Sequence, residues 1–304
     1  MIYLPIAEMP VNVIVVLLVS GVVGFVSGLV GVGGGFIMTP SLMALGIPAP
    51  VAVATGASQI AATSFSGILS LARRKSVDWR MGMLLSIGGV AGGVAGVSLF
   101  DRLLAIGQLD LLIAILYVVF LALIGTLMLV ESLTVMRGRV SGGRGFFARS
   151  AKTVAHTLPL RMRFPRSGLY ISVIPPLALG LLVGALAAIM GVGGGFILAP
   201  AMIYLLRMPT NVVIGTSLFQ ILIVMALIVL LQSTLTQTVD LVLSAMLMVG
   251  GVVGAQFGAR VGARLRGEQI RAILGLILAL WSMRFAWDLI VAPDEPFTLG
   301  PGLW

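Results

Sequence analysis

Two glycine-rich segments are the first places in the sequence where backbone chemistry is expected. The run GVGGGFI at 31–37 recurs at 191–197. Consecutive glycines leave backbone N–H groups unobstructed at the start of a helix, where the partial positive charge of the helix terminus attracts an anion. Close helix packing is the alternative use of such glycines. On the anion interpretation, the segments predict substrate contacts from Gly33, Gly34, Gly35, Gly193, Gly194 and Gly195.

Both segments lack the features of nucleotide-binding loops. Neither is followed by Lys-Ser or Lys-Thr, as a P-loop would be. Phe36 and Phe196 stand where a dinucleotide fingerprint needs glycine. Nucleotide binding is therefore not expected.

A second repeated pattern carries hydroxyl and amide groups. TGASQ at 55–59 corresponds to TSLFQ at 216–220. Thr and Gln four residues apart lie on the same helix face, and uncharged donors suit an oxyanion. Hydrogen bonds between helices are the alternative use of the same groups. The anion interpretation adds Thr55, Ser58, Gln59, Thr216, Ser217 and Gln220 to the predicted substrate contacts.

The residues that most enzymes and metal sites use are missing from the apolar part of the chain. There is no cysteine, and the single histidine, His156, lies in a basic loop. All ten carboxylates fall in loops or at the ends of predicted helices. A metal site, a hydrolytic triad or a proton relay inside the membrane cannot be assembled from these residues. We therefore predict no enzyme activity, no cofactor and no metal.

The composition describes the environment of these motifs. Hydrophobic residues make up 59% of the 304 residues and charged residues only 10%, with a mean hydropathy of +1.16. An ordinary soluble domain carries about 25% charged residues, so a soluble globular domain is excluded. The net charge of +9 could indicate nucleic-acid binding, but in a membrane chain it is better explained by Lys and Arg retained on the cytoplasmic side.

The repeated motifs belong to a duplication of the whole chain, which also aligns Asp78 with Asp240. Hydropathy predicts membrane elements in the first half at about 11–30, 36–46, 51–71, 81–100 and 109–130. The second half repeats them at about 169–190, 196–206, 212–232, 241–262 and 270–291. The predicted domains are a first membrane repeat at 1–131, a basic cytoplasmic linker at 132–168 and a second membrane repeat at 169–304.

The second element of each half is too short for a complete helix span, so it either crosses as a broken helix or enters as a re-entrant loop. Charges favour crossing. A basic cluster at 73–80 has a counterpart at 233–240 without any basic residue, whereas the cluster at 260–271 has a counterpart at 101–108 with one arginine. Basic clusters that alternate between halves indicate inverted repeats. The predicted fold is therefore an all-α polytopic membrane protein of two inverted-topology repeats, with ten crossings, broken helices after the glycine segments and both termini outside.

These motifs together resemble a known transporter family. The segments 31–40 and 54–59, with their counterparts 191–200 and 215–220, are similar to the signature blocks of the TauE/SafE sulfite and organosulfonate exporters. The resemblance implies a secondary transporter of sulfur-containing oxyanions, such as sulfite or sulfoacetate, in the plasma membrane. The glycine segments and the Thr/Gln pairs would form a cavity at the bilayer midplane, and one bundle would rock against the other in alternating access.

Two other functions are compatible with the sequence. An anion channel would differ from a carrier only in whether both gates open together. A membrane scaffold would use the basic loop 137–166 to hold an acidic partner or anionic lipid. Deleting that loop separates scaffold from transporter, because only a scaffold should lose its partner. Glycines at four-residue spacing form two stripes, Gly88, Gly92, Gly96 and Gly250, Gly254, Gly258, which predict helix-packing surfaces. A homodimer is also compatible with the sequence, and these glycine-striped helices are one contact to consider.

The topology has a direct test. Residues 75 and 236 should label from opposite faces of the membrane, because the charge pattern places the loop at 73–80 inside and the loop at 233–240 outside. An accessibility-labelling scan in intact cells measures this. Labelling of both residues from one face would contradict the inverted topology.

Overall fold

Ten helices and two small hairpins form the described part of the chain. A computed structural model describes residues 2–30, 33–73, 76–136, 161–206, 208–262 and 267–290. The first half contains β1 (Ile2–Leu4), β2 (Met9–Val11), α1 (Val13–Val30), α2 (Gly35–Ala44), α3 (Ala49–Arg73), α4 (Trp79–Ile106) and α5 (Leu109–Met136). The second half contains β3 (Arg161–Phe164), β4 (Leu169–Ser172), α6 (Ile174–Met190), α7 (Gly195–Tyr204), α8 (Thr210–Leu231), α9 (Leu241–Gly262) and α10 (Gly267–Ile290). A π-helical turn, Gln232–Thr236, continues α8.

All ten predicted elements are found as helices, and the main difference lies just before the first helix of each half. We predicted spans from 11 and from 169, but these residues belong to the antiparallel hairpins β1–β2 and β3–β4. Short apolar strands and helix ends have the same hydropathy, so the sequence did not separate them. Pro175 and Pro176 fit the first turn of α6, which explains why that helix starts after the hairpin. Of the predicted linker, residues 137–160 lie outside the described ranges.

Five of the described helical segments are long and apolar enough to cross a membrane: Val13–Val30, Trp79–Ile106, Leu111–Val130, Val212–Thr236 and Leu241–Gly262. Large apolar side chains on their outer faces are exposed, as a lipid-facing surface requires. Helix α3 is long but less apolar, being rich in Ala, Ser and Thr. Residues 51–60 of α3 are all buried, so protein rather than lipid surrounds this part of the helix.

The two halves interlock through pairs of helices. In the pair α1–α9, Gly24 lies against the backbone of Gly251 and Gly28 against that of Ala255, so the two helices run in the same direction. The pair α4–α6 repeats this arrangement with the halves exchanged, through glycines of α4 at 88, 92 and 96. Small residues allow such close backbone approach between membrane helices. The glycine runs of the sequence therefore serve as packing surfaces.

The last helices of the two halves, α5 and α10, run in opposite directions. The ring of Tyr117 stacks on Phe285 with centroids 5.3 Å apart. The hydroxyl of Ser282 donates to the carbonyl of Val118 at 3.2 Å. Further along α5, Gly125 lies against Leu278. Increasing residue numbers in α5 thus meet decreasing numbers in α10.

The close contact of α4 with α6 predicts a difference between two neighbouring glycines. A Cβ at Gly92 would collide with the carbonyl of Leu181, whereas a Cβ at Gly93 would be 3.5 Å from Ile228, an ordinary contact. Gly92→Ala should destabilise the protein by about 1–3 kcal/mol through overpacking. Gly93→Ala should be neutral or slightly stabilising, because Ala favours a helix over Gly. Thermal unfolding in detergent measures both, and equal midpoints would contradict this packing.

Candidate functional site

The glycines of the two segments have backbone conformations that other residues avoid. Gly33 and Gly34 have φ of 90° and 71°, and Gly193 and Gly194 have 75° and 68°. Gly34 and Gly194 are the N-cap residues of α2 and α7. Only glycine adopts this left-handed region without steric cost. The chain therefore reverses abruptly after α1 and α6 and begins a new short helix.

The two segments converge on one buried point. Gly33 and Gly193 both lie against the side chains of Ile60 and Ile221, which come from α3 and α8. A Cβ on Gly35 would come within 2.6 Å of the carbonyl oxygen of Val192. The next residues of the two short helices, Phe36 and Phe196, also meet, with ring centroids 5.9 Å apart. The structure thus brings Gly33, Gly35 and Gly193 of the two segments together, whereas Gly34 lies against Ser27 and Gly194 against Val183 of its own half.

Backbone donors are left over where α2 and α7 begin. The carbonyl of Gly34 accepts from the amides of Ile37 and Met38 at 3.2 and 3.3 Å, and the carbonyl of Gly194 accepts in the same way. Among the described residues, the amides at 35, 36, 195 and 196 have no backbone acceptor. Unpaired N–H groups and the helix dipole give each terminus a partial positive charge. Two such termini in one buried place form an arrangement suited to an anion.

The predicted hydroxyl groups are used by the fold. Thr55 Oγ1 accepts a hydrogen bond from the Asp240 amide at 3.1 Å, and Thr216 Oγ1 accepts from the Asp78 amide at 3.0 Å. Ser58 donates to the carbonyl of Thr55 at 2.6 Å and is also hydrogen-bonded to Ser244 Oγ. Ser217 donates to the carbonyl of Ile214 at 3.0 Å. In this conformation none of these described bonds reaches the glycine segments, and a substrate role for the four hydroxyls stays a prediction.

The two glutamines differ from the hydroxyls because their polar atoms are buried without full satisfaction. Gln59 Nε2 donates to the carbonyl of Ser20 at 3.3 Å, whereas its Oε1 has no partner among the described residues. Within the described ranges, Gln220 has no partner for either amide atom. Each glutamine directly precedes the isoleucine that touches the glycine segments, Ile60 or Ile221. An unpaired buried polar group costs about 1–3 kcal/mol. The unpaired group of Gln59 is an acceptor, so Gln220 Nε2 is the side-chain donor of this pair that a polar ligand could satisfy.

Two functional candidates were missed in the sequence because they were interpreted only as helix ends. Asp78 and Asp240 do precede α4 and α9, but their side chains are 2% and 0% exposed. They are the only charged side chains among the buried ones of the described ranges. Their alignment between the halves was the available signal, since a buried carboxylate needs several donors wherever it occurs. Neither is recorded in contact with the glycine segments.

Comparison with known proteins identifies the family of the chain. The family model described as "Sulfite exporter TauE/SafE" matches residues 16–285. The chain belongs to the TauE/SafE family. The match includes both glycine segments and both Thr/Gln patterns, so the TauE/SafE resemblance seen in the motifs is confirmed. As a member of this family the protein is a membrane transporter.

Curated relatives of the chain have general names. A "Probable membrane transporter protein" of Xylella fastidiosa (strain 9a5c) is 32% identical over 204 residues, which cover 66% of this chain and 67% of the relative. "Probable membrane transporter protein YunE" of Bacillus subtilis (strain 168) is 28% identical, covering 67% and 72%. "Probable membrane transporter protein YjnA" of the same strain is 25% identical, covering 77% and 84%. No solved structure matches the chain.

The unpaired amide of Gln220 generates a test of whether it serves the fold. Gln220→Leu should leave the thermal midpoint in detergent unchanged or raise it, because replacing an unsatisfied buried amide removes a desolvation cost. Tyr117→Phe is the matched control. Its hydroxyl donates to the carbonyl of Met190 at 2.7 Å, so its loss should cost about 1–3 kcal/mol. A lower midpoint for Gln220→Leu than for Tyr117→Phe would show that Gln220 is retained for stability.

Proposed function

We propose that this protein exports sulfur-containing oxyanions, sulfite or an organosulfonate such as sulfoacetate, across the plasma membrane by alternating access. The observation that carries the proposal is the meeting of two glycine-capped helix N-termini at one buried, uncharged point. The family description, which names a sulfite exporter, supports the same class of substrate.

The proposed binding chemistry uses backbone amides. A sulfite or sulfonate group spreads its negative charge over three oxygens, and several N–H donors from two directions can satisfy these oxygens together. Apolar side chains surround the glycines: Ile60, Ile221, Phe36 and Phe196. They exclude water, which strengthens the electrostatic attraction between the amides and the anion. Gln220 would complete the site with its side-chain amide, and Gln59 would do so once its Nε2 leaves the carbonyl of Ser20. Thr55, Ser58, Thr216 and Ser217 would contribute only after leaving their present partners.

An uncoupled mechanism suits export. No buried Asp, Glu or His lies in the proposed site among the described residues, so the site offers the anion no proton donor. An inside-negative potential contributes about 2.3 kcal/mol per charge per 100 mV, and a departing dianion gains about twice that amount. The membrane potential alone would then drive export.

The packing of the two halves supports alternating access. Helix α6 is the second-half equivalent of α1, and α4 is the first-half equivalent of α9, so the pair α1–α9 corresponds to the pair α6–α4. The equivalent helices α5 and α10 run in opposite directions. Antiparallel corresponding helices are what inverted repeats require. If the halves exchange conformations, an inward-open state becomes its outward-open counterpart. The location of both termini outside the cell is part of this proposal.

Proteoliposomes containing the purified protein provide the test. Sulfite efflux should follow an imposed membrane potential and should not require a pH gradient. Efflux that demands a proton gradient would contradict uncoupled export. The absence of flux for every sulfur oxyanion would contradict the proposed substrate class. Exchange of labelled sulfite accelerated by unlabelled sulfite on the other side would support a carrier, whereas a channel would show no acceleration.

Substitutions at the two N-cap glycines test the proposed binding site. In Gly34→Ala/Gly194→Ala both positive-φ caps are strained and the new methyl groups meet Ser27 and Val183. This double variant should lose sulfite efflux by at least about tenfold while still inserting, since two misplaced helix termini bind an anion less well. Gly93→Ala is the control and should keep its flux. Undiminished flux in the double variant would reject the site.

A further inference from the structure

Each β-hairpin inserts one large apolar side chain among the helices. Hairpin 1 (residues 2–11) inserts Leu4, and hairpin 2 (residues 161–172) inserts Phe164; these side chains are 0% and 1% exposed. Leu4 joins a cluster that includes residues of α1, α2 and α3, and Phe164 joins one with residues of α4, α6, α7 and α8. Two-stranded hairpins this short are marginally stable alone. Contacts with the rest of the protein must therefore hold the hairpins in place.

A carboxylate of the second half holds hairpin 1. Asp240 Oδ1 accepts from the amides of Val242 and Leu243, both at 3.0 Å, and so caps α9. Its other oxygen, Oδ2, accepts from the amide of Ile6 in the turn of hairpin 1 at 3.1 Å. The amide of Asp240 itself donates to Thr55 Oγ1 in α3. We call Asp240, Ile6 and Thr55 latch 1.

A carboxylate of the first half holds hairpin 2 with the same division of its oxygens. Asp78 Oδ1 accepts from the amide of Met81 at 3.3 Å and caps α4. Oδ2 accepts from the amide and the hydroxyl of Ser167, in the turn of hairpin 2, at 3.0 and 2.6 Å. The amide of Asp78 donates to Thr216 Oγ1 in α8. Asp78, Ser167 and Thr216 form latch 2, beside which Arg166 donates to the carbonyl of Val77 at 2.6 Å.

The two latches lie at opposite ends of the molecule. Thr55 is in the second turn of α3, a helix of 25 residues and therefore about 37 Å long. Asp78 follows the other end of α3 by five residues. In the second half, α8 connects Thr216 of latch 2 to Asp240 of latch 1 in the same way. The converging glycine segments lie between the latches, because Ile60 and Ile221 are five residues further along α3 and α8 than the two threonines.

We propose that hairpins 1 and 2 are the two gates of the transporter, and that Asp240 and Asp78 are positioning residues that keep them closed. The proposal rests on the proposed transport function. Each latch joins a carboxylate of one half to a hairpin and a helix of the other half. A movement of one half against the other that opens the pathway at one end must therefore break the latch at that end. The opposite latch can stay formed, which keeps the pathway closed there.

Substitution of the aspartates by asparagine distinguishes the hydrogen bond to the hairpin from the helix cap. Asn caps a helix as well as Asp does, so Asp240→Asn and Asp78→Asn should retain α9 and α4. The amide nitrogen that replaces Oδ2 cannot accept from the backbone amide of Ile6 or Ser167, and these bonds are lost. In Asp78→Asn the Ser167 hydroxyl can still accept from this nitrogen, so the variant removes the backbone bond of latch 2. The chain contains no cysteine, so a single introduced thiol reports without background. Ser58→Cys beside latch 1 and Ser217→Cys beside latch 2 place a thiol at buried positions.

The measurement is the rate at which a membrane-impermeant maleimide modifies each thiol from the nearer face. Asp240→Asn should accelerate modification at Cys-substituted Ser58 by at least about tenfold, and Asp78→Asn should do so at Ser217, because a hydrogen bond to a charged group is lost. Each variant should leave the distant thiol unchanged. Unchanged rates, or equal acceleration at both thiols in either variant, would overturn the proposal, since general loosening has no preferred end.

A milder variant tests latch 2 if the asparagine variants do not fold. Ser167→Ala removes only the hydroxyl donor to Asp78 and keeps the amide donor. It should accelerate modification at Ser217 by about threefold without affecting Ser58, because one neutral donor remains. No acceleration would overturn the role of latch 2. These rates need no substrate, so an absence of sulfite flux in proteoliposomes would contradict the proposed substrate class and leave the latch result independent.

Discussion

Inside a bilayer, backbone polar groups that lack a partner cannot turn to water, and this constraint governs the whole arrangement. The chain has one helix break after α1 and one after α6, and the backbone amides and carbonyls of these breaks cannot face lipid. The structure buries each break against the other half: Gly35 lies against Val192, and Gly191 lies against Val53 of α3. Neither half could shield its own break in this way. The interlocking of the halves is thus a consequence of the breaks.

The same constraint explains the distribution of polar side chains. Helices α3 and α8 carry eight buried threonines, serines and glutamines and pack against each other, whereas the exposed faces of α1, α5 and α9 are mainly apolar. Glycines on α4 and α9 allow α6 and α1 to approach closely. The hydroxyls of Thr55, Ser58, Thr216 and Ser217 bond to carbonyls or to the other half, and the buried carboxylates each have three donors. Gln220, with neither amide atom paired among the described residues, departs from this pattern.

Much of this arrangement could be predicted. The glycine segments were identified correctly as helix starts, because positive φ and consecutive glycines go together. The glycine stripes were identified as packing surfaces. The hydroxyls were harder to place, because Thr55 and Thr216 have the same spacing whether they face a substrate or the amide of an aspartate 185 or 138 residues away. The hairpins were missed because Leu169–Ser172 has the apolar character of a helix end.

The sequence by itself determined the membrane environment, the duplication, the approximate position of every helix and the family, because hydropathy and local motifs depend on neighbouring residues. The tertiary structure decided which groups of one half meet those of the other. Only it placed Gly33 and Gly193 against the same two isoleucines, and gave Asp78 and Asp240 partners in the opposite half. Such contacts depend on helix directions and on burial across long separations in the chain, and no local pattern records them.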